Sequence, residues 1–140
     1  AWSLVRLLSC RLAMAVVACR PPAGTVLVPV PSQPAAVRRR GIDHTWMLAR
    51  QVSRALGIET ARLLRRLNGG EAQRLQGRAG RERLSESRFL GTACRSPVII
   101  IDDVVTTGTS LTVSCEAMRH GGAMVIAAAV IGDANLSGKY

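Results

Sequence analysis

The chain reads as one α/β domain, a mostly parallel sheet flanked by helices. Continuous apolar runs, Thr25 to Val30, Val98 to Ile101 and Ala123 to Ile131, alternate with helical patterns. That alternation means parallel strands joined by right-handed crossovers. Runs without a polar interruption belong to strands covered on both faces. With 140 residues, 48% apolar and 20% charged, the chain can bury a core and is not expected to be disordered or fibrous.

Taken in order, Ala1 to Cys19 forms a helix with Leu4, Leu7, Leu8 and Leu12 on one face and Arg6 off it. Val16 to Cys19 is similar to a lipobox, but Arg11 interrupts the apolar run, so no secretion signal is expected. A chain that begins with Ala inside a helix is expected to continue upstream. Pro21 to Gly24 ends this helix, and Pro29 and Pro31 close the strand Thr25 to Val30, where a ladder must stop. A loop from Pro31 to Gly41 carries Arg38, Arg39 and Arg40. Asp43 caps a helix to Leu56 with Leu48, Val52, Ala55 and Leu56 as its apolar face, and Gly57 stops it. A short strand, Ile58 to Leu64, follows. Arg65 to Arg88 is basic and interrupted by Gly69, Gly70, Gly77 and Gly80, and is expected to be a mobile excursion without a packed element. After the strand Val98 to Ile101, a helix spans Leu111 to His120 and the last strand spans Ala123 to Ile131.

The formal net charge is +10, from 19 Lys+Arg against 9 Asp+Glu, and Lys139 is the only lysine. A Walker A loop and Schiff-base catalysis both need a suitably placed lysine, so both are excluded. Between Arg38 and Arg88 stand 13 Arg and 5 acids, a net of +8. Charge so concentrated points to an anionic partner. Cys10, Cys19, Cys94 and Cys115 contain no C-x-x-C pair and show no zinc spacing. Scattered reduced thiols fit a cytoplasmic location. No run reaches transmembrane length, so no membrane insertion is expected.

The chemistry concentrates in Val98 to Ser110. An apolar strand leads to Asp102 and Asp103, two variable residues follow, then Thr106-Thr107-Gly108-Thr109-Ser110. In open α/β sheets, ligands bind beyond the carboxyl ends of the strands. Paired carboxylates there can accept hydrogen bonds from a vicinal diol or attract a divalent cation. They should point in different directions as the strand ends. Gly108 permits a close backbone approach, the hydroxyls can donate to phosphate oxygens, and the next helix N-terminus adds N–H groups and its dipole. No acid occurs between Asp103 and Glu116 to occupy that terminus internally.

This stretch resembles the phosphoribosyl-pyrophosphate (PRPP) signature of type I phosphoribosyltransferases, which have a Rossmann-like fold. The resemblance implies that Asp102 and Asp103 are the catalytic pair and hold the ribose hydroxyls, with Mg2+ carried by the substrate. It implies that Thr106, Thr107, Gly108, Thr109 and Ser110 hold the 5-phosphate. A narrower resemblance rests on Val28-Pro29-Val30-Pro31 followed by Arg40-Gly41-Ile42-Asp43-His44 and a helix ending in Leu-Gly. It is to the ComF/GntX group, which usually reads V-P-V-P and then R-G-F-N-Q. Gln73, Arg81 or Arg83, and Phe89 correspond to further group positions, while the Asn of that pattern and the upstream zinc-binding segment are absent from the sequence.

The wider family binds pyrophosphate in the loop after the first strand, which implies Pro31, Ser32, Arg38, Arg39 and Arg40. A solvated loop end is the other reading of that triplet. The excursion Arg65 to Arg88 takes the place of the family's flexible loop, with Arg78, Arg81 and Arg83 as candidates, or else is a solvated basic hairpin. The resemblance implies one phosphoribosyltransferase domain over residues 1–140 that binds PRPP or another phosphoribosyl ligand with Mg2+. Transfer to a nitrogenous acceptor would follow. ComF-type proteins are associated with DNA uptake, so single- or double-stranded DNA is a second partner, and a homodimer stays open. The alternative is a non-catalytic nucleic-acid-binding module on the same scaffold, using the Arg-rich region.

Overall fold

The structure, a computed structural model, describes residues 2–79, 89–105 and 109–133. Its elements run α1 (Trp2–Ala18), β1 (Val26–Pro29), α2 (Pro34–Arg40), α3 (His44–Leu56), β2 (Glu59–Thr60) and β3 (Leu64–Arg66), then α4 (Gly69–Ala79), β4 (Phe89–Gly91), β5 (Pro97–Val105), α5 (Thr109–His120) and β6 (Met124–Asp133). Four strands form a parallel sheet in the order β2-β1-β5-β6, and β3 and β4 make a separate antiparallel ribbon. The expected α/β architecture is therefore present.

Hydrophobicity dictates the strand order. Val98, Ile99, Ile100 and Ile101 are all fully buried, as are Leu27 and Val28 beside them, so β5 and β1 take the centre. Alternation sends Val26, Val28, Val98 and Ile100 to a layer with α5 and the ribbon, through Val113, Met118, Leu64 and Phe89. Leu27, Ile99 and Ile101 face α1 and α3, through Leu12, Val16, Leu48 and Val52. Each fully buried aliphatic side chain contributes about 1.5–3 kcal/mol. A register shift opposite Val98 and Ile99 leaves Ile126 as an extra residue in β6.

The inward face of α1 differs from the expected one. Leu4 and Leu7 are more than half exposed, while Leu12 and Val16 are fully buried and Val5 and Leu8 pack beside them. The helix is apolar on both sides, so periodicity alone did not choose between them. The choice rests on tertiary contact: Ser9 Oγ donates to Gln51 Oε1 of α3 at 3.0 Å, fixing which stripe meets α3 and the sheet.

The loop Pro31 to Gly41 contains a helix, α2, with Pro at its start and Gly41 closing it at φ 77°. Arg38, Arg39 and Arg40 form its last turn, where cations complement the helix dipole. The cap of α3 is as expected. Asp43 Oδ1 accepts from the Trp46 backbone N–H at 3.2 Å and from Ser32 Oγ at 2.8 Å, and Gly57 ends the helix at φ 67°. The buried face is Leu48, Ala49 and Val52, whereas Ala55 is exposed.

The expected strand Ile58 to Leu64 is divided. Glu59 and Thr60 pair with β1, then the chain turns at Ala61 and Leu63, and Leu64 pairs with Gly91 outside the sheet. Within the excursion Arg65 to Arg88, the described residues 65–79 hold more regular structure than expected, since Arg66 still belongs to β3 and α4 follows it. Asn68 and Glu71 cap α4 reciprocally: the Glu71 N–H donates to Asn68 Oδ1 at 2.8 Å, and the Asn68 N–H reaches Glu71 Oε1 at 3.5 Å. Arg65 grips the same Glu71 with N–O distances of 2.8 and 3.0 Å. Residues 80–88, with Arg81 and Arg83, lie outside the described residues. Both late strands outrun expectation, because β5 and β6 stay paired to Val105 and Asp133. Among the described residues no helix is long and apolar enough to cross a membrane.

Because Asp43 satisfies both the first turn of α3 and Ser32, Asp43→Ala removes two hydrogen bonds at once. Thermal unfolding should show a loss of about 1–2 kcal/mol, roughly 3–8 °C in Tm.

Candidate active site

The carboxylate pair stands on β5 just beyond the end of its pairing with β1, on the way to α5. Asp102 pairs with Val130 of β6, and β5 continues past both acids to Val105, further than the sequence suggested. Strand alternation puts Asp102 on the face shared by Val98 and Ile100, toward the ribbon and α5. The Asp103 backbone N–H donates to Asp102 Oδ1 at 2.9 Å. Both acids are half-buried.

Burial pushes the Asp102 carboxyl up from 3.8 to about 7. The neighbouring Asp103 carboxylate adds to the rise, while the Asp103 N–H and the Arg66 guanidinium oppose it. A site that desolvates one carboxylate beside another is poised to accept hydroxyl donors or a cation.

Arg66 is held by Phe89 and Pro31. It extends from the end of β3 opposite Phe89, stacks over that ring at 4.8 Å, and donates from Nε to the Pro31 carbonyl at 3.0 Å. Phe89 is itself 1% exposed, so the platform under the guanidinium is rigid. The ribbon thus carries a positive charge over the end of β1 and toward Asp102. Beside it lies a cavity of about 310 Å³ lined by Pro29, Pro31, Asp43, Trp46, Arg62, Leu64, Arg65 and Arg66. Arg62 stacks on the Trp46 ring at 4.4 Å.

The structure brings some sequence candidates together and separates others. Pro31 and Ser32 join the cluster: Pro31 through its carbonyl, and Ser32 through the Asp43 carboxylate. Arg38, Arg39 and Arg40 are exposed in the last turn of α2 and do not line the cavity. Ser110 lies in the first turn of α5, and its carbonyl accepts from Ser114 Oγ at 2.6 Å. The first turn of α5 holds no acid, as the sequence indicated. Thr109 begins the helix, with its side chain outside the described set, and Thr106, Thr107 and Gly108 lie outside the described residues. Arg78 falls in α4, with its side chain also outside that set. Arg62, Arg66 and the aromatic partners Trp46 and Phe89 were not picked out as site residues from sequence. Their one signal was an Arg pair closing a short apolar run just before the Gly-rich segment.

Fold and site together define an α/β protein with a carboxylate pair and a guanidinium at the carboxyl edge of a parallel sheet, beside a helix N-terminus. The Phosphoribosyl transferase domain matches residues 46–139. The chain belongs to this family of transferase domains. Among solved structures it is similar to the purine phosphoribosyltransferase from Pyrococcus horikoshii Ot3, with a TM-score of 0.46 and 17% identity over 93% of this chain and 71% of that chain. No curated protein matches it.

The raised Asp102 carboxyl has a direct consequence for stability. The folded state keeps a proton that the unfolded chain releases from 3.8 upward, so stability present below that value is lost as pH rises through about 7. Asp102→Asn should therefore raise Tm relative to the native chain at about pH 8 and leave it nearly unchanged at about pH 4. Thermal melts across that range check the sign.

Proposed function

We propose that the chain binds PRPP and transfers its phosphoribosyl group to a nitrogenous acceptor, with displacement of pyrophosphate. The observation that carries this reading is the Asp102–Asp103 pair ahead of the α5 N-terminus, with the charge of Arg66 acting on Asp102 from the ribbon. Asp102 and Asp103 receive the ribose hydroxyls, and the Thr106 to Ser110 segment receives the 5-phosphate. Pro31, Ser32 and the exposed triplet Arg38, Arg39 and Arg40 belong to the pyrophosphate side in this reading, and Arg66 joins them. Arg78, Arg81 and Arg83 supply further charge from the segment between the ribbon strands.

The donor set suits Mg2+ that arrives with its ligand. Among the described residues no group of three His, Cys, Asp or Glu could hold a metal alone. Mg2+ commonly uses one or two carboxylates and completes its shell with substrate oxygens and water, and Asp102 and Asp103 supply that number. When bound, it would screen the charge of the pyrophosphate. The chain's own residues orient the ribose through two carboxylates, shield it from water, and place Arg66 where negative charge grows on the leaving group. No protein nucleophile is needed.

In the finer reading the chain is one ComF/GntX-like domain over residues 1–140, acting in the cytoplasm, with its four cysteines as free thiols. Isothermal titration with Mg-PRPP tests the central claim. The native chain should bind saturably, and Asp102→Asn/Asp103→Asn should weaken binding about 10- to 100-fold. Equal binding by the double variant would falsify the assignment.

A nucleic-acid-binding role in DNA uptake is a second reading. It is favoured by five exposed guanidiniums, Arg38, Arg39 and Arg40 on α2 with Arg50 and Arg54 on α3. Replacing Arg38, Arg39 and Arg40 with Gln should lower the salt slope of DNA affinity by about 2–3. An unchanged slope removes this triplet from any DNA contact.

A further inference from the structure

The ribbon that carries Arg66 is seated on α5 by two glycines, and this seat is tight. A methyl group on Gly91 would meet the Ala117 carbonyl oxygen at 2.6 Å and the Met118 Cα at 2.8 Å. One on Gly121 would meet the Gly91 carbonyl oxygen at 2.5 Å and its carbon at 2.9 Å. Every one of those partners is backbone, so nothing can swing aside. Backbone therefore lies on backbone, with the end of β4 against the last turn of α5.

The same ribbon fixes Arg66 two residue pairs away. Leu64 pairs with Gly91 and Arg66 with Phe89, a distance of about 7 Å along the strands. Ordinary contact begins near 3.4 Å, so a methyl on Gly121 must push the strand roughly 0.9 Å from the helix. The Arg66 Nε bond to the Pro31 carbonyl is 3.0 Å long. A shift of that size, carried through the ribbon to Arg66, is large enough to break it.

We propose that Gly91 and Gly121 are positioning residues that lock the β3–β4 ribbon to α5 and so set Arg66 against the pyrophosphate half of the ligand. This rests on the PRPP reading for the ligand's identity, but the lock itself does not. The helix that begins at the phosphate loop ends on the ribbon that carries the guanidinium, so the two halves of the site keep a common distance.

The test compares Gly121→Ala with Gly122→Ala. Gly122 adopts φ 94° with nothing within 4 Å of its missing Cβ, so alanine there strains the same turn without touching the ribbon. In 15N-labelled protein, the Arg66 Nε–H resonance should be protected in the native chain and in Gly122→Ala, and lost in Gly121→Ala. Retention in Gly121→Ala overturns the proposal. Titrations with Mg-PRPP and with ribose 5-phosphate give the functional arm. Gly121→Ala should lose about tenfold or more for PRPP and less than about twofold for ribose 5-phosphate. Equal losses for both ligands mean a structural role only and overturn the positioning claim. If the native chain binds neither ligand, the PRPP reading fails while the resonance still decides the lock. Should Gly121→Ala not fold, native-state hydrogen exchange on the native chain decides. The ribbon amides should open together with the last turn of α5, and a ribbon that opens alone overturns the lock.

Discussion

Everything in this molecule hangs on the parallel pairing of β1 with β5. Val26, Leu27, Val28 and Pro29 lie beside Val98, Ile99, Ile100 and Ile101, and the Val30 N–H extends the ladder to the Ile101 carbonyl at 2.8 Å. Both strands are apolar on both faces, so helices must cover each side. α1 and α3 cover one, and α5 and the ribbon cover the other. The pairing also sets both strands to end in the same direction, which brings Pro31 and the acid pair to one edge of the sheet.

That edge shows how the core creates the electrostatics of the site. Asp102 follows directly on a run of four fully buried residues, and its face is the one covered by the ribbon and α5. Burial raises its carboxyl because little water is left to solvate the charge. Arg66 offsets part of that cost from a ribbon that is not part of the sheet. Its own position depends on Phe89 beneath it and on the Pro31 carbonyl beyond it. The carboxylate pair is thus tuned by a side chain far from it in sequence, through contacts made at the base of a hairpin.

Some elements were legible because their signals are local. Asp43 and Gly57 bracket α3 through a side-chain cap and a left-handed residue, both properties of single residue types. The buried runs around Leu27 and Ile100 could only be central strands. Other elements were obscured by competing signals. Gly69 and Gly70 argued against a helix, yet Asn68 and Glu71 cap one across them. Three consecutive arginines stood out as a pyrophosphate candidate, while Arg66, whose charge opposes the rise of the Asp102 carboxyl, sits at the start of a basic segment with no period to single it out.

The sequence alone determined the fold class, the family resemblance and the acid pair, because strand burial, caps and a contiguous motif are written in neighbouring residues. With Lys139 as its only lysine, the sequence also holds neither a Walker A loop nor a Schiff-base candidate. Tertiary structure decided which face of α1 turns inward, where the ribbon sits, and that the charge of Arg66 reaches Asp102. Those choices depend on contacts between residues distant in sequence, such as Ser9 with Gln51, Gly91 with Gly121, and Arg66 with Pro31. No local pattern encodes a distance between two such residues, and only packing of the finished layers fixes it.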